Sequence, residues 1–156
     1  MGTRVDCYDK DYRSVVRDAS YRRSEGEYIK AYKLLIDKVS KNSINKFYNQ
    51  YWNGRIDRKY KPLFQTKDKE RFKILIKAGT NINEPTYYNQ YNEPSNTPLE
   101  IAIDLDDIEL IKLVLEMGGD INLVYNKISP IDYAHSNRKD NAEMYLLENG
   151  AKYVKY

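Results

Sequence analysis

The chain has 156 residues, 41% hydrophobic and 31% charged, which fits one domain or one short repeat array with a well solvated surface. No run approaches the ~18 apolar residues of a membrane span. Its lone cysteine, Cys7, excludes an internal disulfide framework and fits a reducing, cytoplasmic compartment. The net charge of +3 conceals an asymmetry: 20 Lys/Arg face 10 Asp/Glu in residues 1–80, but 6 face 13 in residues 81–156. Opposite potentials steer an approaching partner, or only keep each half soluble, and they permit head-to-tail self-association.

The first residues carry no apolar h-region of a secretory signal. Gly2 invites a myristoylation motif, but Asp6 stands where that motif needs Ser or Thr. Between Asp11 and Arg22, Tyr12, Val15, Val16 and Ala19 line only a narrow stripe. Ser24 and Glu27 have capping-box spacing. Tyr28, Ala31, Tyr32, Leu35, Ile36 and Val39 then recur at helical spacing. Ser43 is placed to cap a second helix, in which Ile44, Phe47, Tyr48, Tyr51 and Trp52 repeat that spacing before a stop at Gly54. Two amphipathic helices are therefore expected before residue 58.

From Lys61-Pro62-Leu63-Phe64 the chain reaches an aliphatic helix, Phe72 to Ala78, that leaves through Gly79-Thr80-Asn81-Ile82-Asn83. Residues 84–95, with Pro85, Pro94 and several Asn, read as a loop rather than a strand. Tyr87, Tyr88 and Tyr91 within it either face a partner, for which tyrosine is well suited, or fold back over the stack. Thr97-Pro98-Leu99 opens a short helix, Ile108 to Leu115 forms a second, and Gly118-Gly119-Asp120-Ile121-Asn122 closes the unit. Ser129-Pro130-Ile131-Asp132-Tyr133-Ala134 repeats the opening, and Tyr145 to Ala151 repeats the close.

This pattern resembles the ankyrin repeat, whose first helix opens T-P-L-H-x-A and whose exit reads G-A-D-V-N, with a period of ~33 residues. The resemblance covers a degraded repeat at about 61–83, a clear one at 96–122 and a C-terminal capping repeat at 128–153. Polar Lys139, Asp140, Asn141 and Glu143 mark the last as terminal. It implies an all-α ankyrin solenoid over 59–156, with residues 1–58 as a helical N-terminal cap or a diverged repeat. The usual histidine of T-P-L-H is Glu100 in one repeat and Asp132 in the next, and Ser95 and Lys127 replace the hairpin glycine. The composition, rich in Tyr, Asn, Lys and Ile, is that of an AT-rich genome, as in large DNA viruses and host-associated bacteria.

Residues able to carry catalysis are scarce. His135 and Cys7 are far apart in the chain, and zinc needs three or four clustered ligands. No phosphate-binding glycine loop or nucleophile elbow occurs. Asp104, Asp106, Asp107 and Glu109 lack calcium-loop spacing and suit a helix start instead. No enzymatic activity, metal or cofactor is expected.

The resemblance implies a protein-binding module acting through its hairpin tips and the exposed side of each first helix. The implied tip residues are Glu93, Pro94 and Asn96, then Tyr125, Asn126 and Ile128, beside Leu123 and Val124. The implied helix-end residues are Asp104 and Leu105, then Ser136 and Asn137. Such a module blocks, sequesters or scaffolds a host factor or a toxin. The alternative is nucleic-acid binding through the basic first half, with Arg55, Arg58, Lys59 and Lys61 on phosphates and Tyr48, Tyr51, Trp52 and Tyr60 stacking.

Overall fold

The computed structural model describes residues 26–38, 48–52, 55–60, 68–91 and 93–154. The described chain is mainly helical. It divides into two compact units, Met1–Tyr48 with Tyr60–Asn81, and Asn49–Lys59 with Ile82–Tyr156.

In the first unit, α1 (Gly26–Lys38) packs against α2 (Lys69–Lys77). Of the six residues expected along one face there, Tyr32 and Ile36, one turn apart, are both buried. Facing them are Phe72, Leu75 and Ile76, and the buried Arg71 holds its guanidinium 5.6 Å from the Tyr32 ring centre. Burial pushes the Tyr32 phenol well above its ordinary range. Asp68 caps α2 by accepting the Arg71 N–H at 3.0 Å, while Ser24 and residues 61–67, including the expected short first helix, lie outside the described residues. At the far end Gly79 takes φ 95°, and Thr80 Oγ1 donates to the Leu75 carbonyl at 2.8 Å.

The second unit contains two helical pairs. In the first pair α3 (Pro98–Asp104) packs on α4 (Ile108–Glu116); in the second α5 (Pro130–Ser136) packs on α6 (Asp140–Glu148). The pairs stack in register, α3 against α5 and α4 against α6. Leu99, Ala102, Ile103, Leu110, Ile111 and Val114 of the first pair are buried, as are Ile131, Ala134, Ala142 and Leu146 of the second. Each fully buried aliphatic side chain is worth about 1.5–3 kcal/mol, so stacking supplies what no single pair could. The turn inside each pair repeats as well, with Asp106 at φ 51° and Arg138 at φ 56°.

Two expectations are corrected. The segment read as a helix ending at Trp52 is instead β1 (Tyr48–Trp52), followed by β2 (Arg55–Tyr60). Aromatic-rich runs favour strands, and Asn53-Gly54 between these two is a hairpin signal that outweighs helical spacing. The segment read as a loop contains β3 (Tyr87–Tyr88) and β4 (Pro94–Ser95), paired antiparallel with Tyr87 opposite Ser95 and Tyr88 opposite Pro94. The four strands are adjacent in chain order. Asn89 makes the β3–β4 hairpin possible. Its Oδ1 accepts the N–H groups of Tyr91 at 2.9 Å and Glu93 at 3.0 Å, and its Nδ2 donates to Glu93 Oε2 at 2.8 Å.

Candidate protein-interaction surface

The surface is held in place by elements that recur with the helical pairs. Thr97 and Glu100 form a capping box: Thr97 Oγ1 accepts the Glu100 N–H at 3.2 Å, and Glu100 Oε2 accepts the Thr97 N–H at 2.7 Å. Ser129 and Asp132 do the same, and Asp132 Oδ2 also accepts the Val154 N–H at 3.1 Å. Glu100 and Asp132, which replace the expected histidine, therefore serve as helix-capping acceptors. Burial raises the Glu100 pKa above the ordinary carboxylate value, against the opposing hydrogen bonds from Thr97.

Within the second unit, two asparagines act as staples. Asn83 Nδ2 donates to the Gly118 carbonyl at 3.0 Å, and its Oδ1 accepts the Asp120 N–H at 2.8 Å. Asn122 repeats this one step on, with Nδ2 to the Gly150 carbonyl at 3.4 Å and Oδ1 from the Lys152 N–H at 2.8 Å. Gly118 and Gly150 end α4 and α6 at φ 93° and 90°. Gly119 is needed for a different reason, since a Cβ there would sit 2.8 Å from the Val114 carbonyl oxygen.

The hairpin tips lie side by side. Tyr125 and Ile128 form an antiparallel bridge across Asn126 (φ 49°) and Lys127 (φ 62°). Positive φ at both central residues defines the tight type I′ turn that matches strand twist, so Lys127 keeps the geometry a glycine usually provides. Asn126 Nδ2 reaches the Pro94 carbonyl of the other hairpin at 3.0 Å, and the Tyr125 hydroxyl donates to the Asn83 carbonyl at 3.0 Å. Burial raises the Tyr125 phenol pKa, and Tyr88 and Glu84 close by add to the effect.

The expected contact residues separate into two groups. Tyr125, Ile128, Tyr87, Tyr88 and Asn96 (φ 57°) are half-buried and help build the tips. Asp104 is exposed but engaged, accepting the Tyr133 hydroxyl at 3.0 Å through its carboxylate and the Lys139 ammonium at 2.9 Å through its carbonyl. Leu105 is half-buried, whereas Glu93, Asn126, Ser136 and Asn137 are exposed. Tyr91 stands out at 74% exposed on a tip whose backbone Asn89 holds. Val124, at 43% exposed, joins it as an apolar group open to solvent.

Among the described residues no group of three or more His, Cys, Asp or Glu is placed to hold a metal ion. No helix among them is long and apolar enough to cross a membrane. His135 is used structurally: its Nδ1 lies 3.0 Å from Glu143 Oε1, and the Tyr153 hydroxyl donates to the same carboxylate. The Tyr153 hydroxyl, then His135, hold Glu143 below the ordinary carboxylate pKa, while the Tyr153 phenol is pushed up to about 12 by its bond to Glu143.

No protein-family model matches the chain. A stretch of 64 residues, 41% of this chain, is 34% identical to an ankyrin repeat protein of Fowlpox virus (strain NVSL). The match spans 15% of that relative's length. Over that stretch the chain is similar to a protein described by its ankyrin repeats.

Proposed function

We propose that this chain is an ankyrin-repeat module whose activity is binding. It occupies the surface of a partner protein through its hairpin tips and the exposed ends of its first helices, and so blocks, sequesters or scaffolds that partner. The partner is a host factor or a toxin, and the site of action is the cytoplasm. The observation carrying this reading is Tyr91, a large amphipathic ring 74% exposed on a hairpin ordered by Asn89. Burying it costs little side-chain entropy and gives contact area, which makes tyrosine a frequent anchor at interfaces.

A tagged pull-down at physiological salt, from the native cell or its host, tests the reading. One stoichiometric protein is expected in the eluate, and Tyr91→Ala with Val124→Asp is expected to weaken its binding at least tenfold, about 1.4 kcal/mol, without changing the melt. These two positions suit the test better than Tyr125 and Ile128, whose substitution would disturb the turn itself. Nucleic acid in the eluate without a dominant protein would transfer the activity to the basic first half.

A further inference from the structure

Building on the binding role proposed above, we infer that the face of α3 bordered by Tyr125 and Tyr133 receives a Lys/Arg-rich segment of the partner protein. From Ile82 to Ile111 the chain carries seven Asp/Glu and no Lys, Arg or His. That stretch includes the β3–β4 hairpin with Tyr91 and the whole of α3, which ends at the exposed Asp104. The basic residues Arg55, Arg58 and Lys59 belong to β2, the strand beside β3, whereas the Tyr125 turn joins on the β4 side through Asn126.

Two rings border this face. The Tyr125 hydroxyl donates to the Asn83 carbonyl at 3.0 Å. The Tyr133 hydroxyl reaches from α5 to the Asp104 carboxylate, 3.1 Å from Oδ1 and 3.0 Å from Oδ2. Burial, then Tyr88, Glu84 and Glu100, raise the Tyr125 phenol pKa; burial, then Asp104 and Glu100, raise that of Tyr133. Glu100 is common to both, and it stands one turn before Asp104 on α3. The two rings and the two acids therefore share one stretch of surface.

Each hydroxyl has a single proton to donate, and both protons are spent inward. An approaching group meets ring faces, lone pairs and a carboxylate, all of which attract cations. Lys139, at the head of α6, shows the same preference within the chain: its ammonium lies 2.9 Å from the Asp104 carbonyl. Val124, next to Tyr125 in the chain, adds exposed apolar area for the stems of long basic side chains. Phosphates would meet like charge here, so a nucleic acid is disfavoured on this face.

Panning a phage-displayed library of short random peptides on the immobilised full chain at physiological salt tests this. The selected peptides are expected to be enriched several-fold in Arg and Lys and depleted in Asp and Glu. A synthetic copy of the leading peptide is expected to bind Asp104→Asn about tenfold more weakly, because a charge-assisted bond is lost. It is expected to bind Glu148→Gln normally, although that change removes the same charge from the last turn of α6. Asparagine keeps an oxygen to accept from Tyr133, and the melt of each variant checks the fold. Tyr133→Leu is expected to weaken binding about two- to fivefold and Tyr133→Phe to leave it unchanged, since phenylalanine keeps the ring. Selected peptides that are apolar or acidic would overturn the inference and leave the binding role standing. Equal losses for Asp104→Asn and Glu148→Gln would also overturn it, as attraction to net charge alone. A selection that enriches nothing would overturn it as well, and the pull-down judges the binding role separately.

Discussion

Asn122 and Asn83 each use both ends of one amide, donating to a glycine carbonyl and accepting a backbone N–H from the loop beyond. Asn122→Ala is expected to cost about 1 kcal/mol in a urea melt, and Asn122→Asp less, because the aspartate still accepts from the Lys152 N–H. Lys127 tolerates φ 62°, a region in which a side chain costs about 1–2 kcal/mol. Lys127→Gly is expected to raise stability by a few tenths to 1 kcal/mol, read from the denaturant midpoint; a loss would mean the lysine side chain holds the turn. Glu143 and Glu100 respond to pH with opposite signs. The depressed Glu143 stabilises the fold above its unfolded pKa and loses that contribution as pH falls through the folded value. Tyr153→Phe should therefore flatten the acid limb of stability measured from about pH 3 to 7. Glu100, raised by burial, favours folding below its unfolded pKa and loses that as pH rises through the folded value. Glu100→Gln, which keeps a cap acceptor, should be neutral or stabilising at pH 7 and lose any gain in acid.

At the scale of elements, helix ends were more legible than strand content. Thr97-Pro98 and Ser129-Pro130 announce their helices because a hydroxyl cap followed by proline leaves the chain few other choices. Capping demand also explains why Glu100 and Asp132 can stand where histidine is usual: any acceptor reaching back three residues closes the box. The spacing of Tyr48, Tyr51 and Trp52 misled, since aromatics suit a strand as well as a helix and only pairing with a neighbouring strand decides. Burial, not composition, ranks the helices' side chains. Ile111→Ala is expected to cost about 2–5 kcal/mol, while Leu147→Ala, on an exposed position, should be near neutral. A comparable loss at both positions would contradict the assigned faces of α4 and α6.

Over the whole molecule, the charge asymmetry acts at longer range than any contact. Residues 81–156 hold 13 Asp/Glu against 6 Lys/Arg, so a basic partner should meet this half faster at low salt than at physiological salt. The on-rate of the captured partner, measured against ionic strength, is expected to fall several-fold; a flat response would leave the asymmetry a matter of solubility.

Sequence alone determined the recurring openings and exits of the helical pairs, because caps, prolines and glycines act within a turn of chain. It also placed the candidate contact residues on the turns and helix ends, where exposure is common. Only the tertiary structure decided which of them remain available. Tyr125 and Asp104 are taken up by neighbours distant in sequence and Ile128 by its bridge to Tyr125, while Tyr91 is left open by a hairpin that Asn89 folds. The staple made by each asparagine depends on a loop 28 to 37 residues away, a pairing no local pattern encodes. Burial and long-range hydrogen bonding are properties of the folded stack, so they become visible only once the repeats are packed.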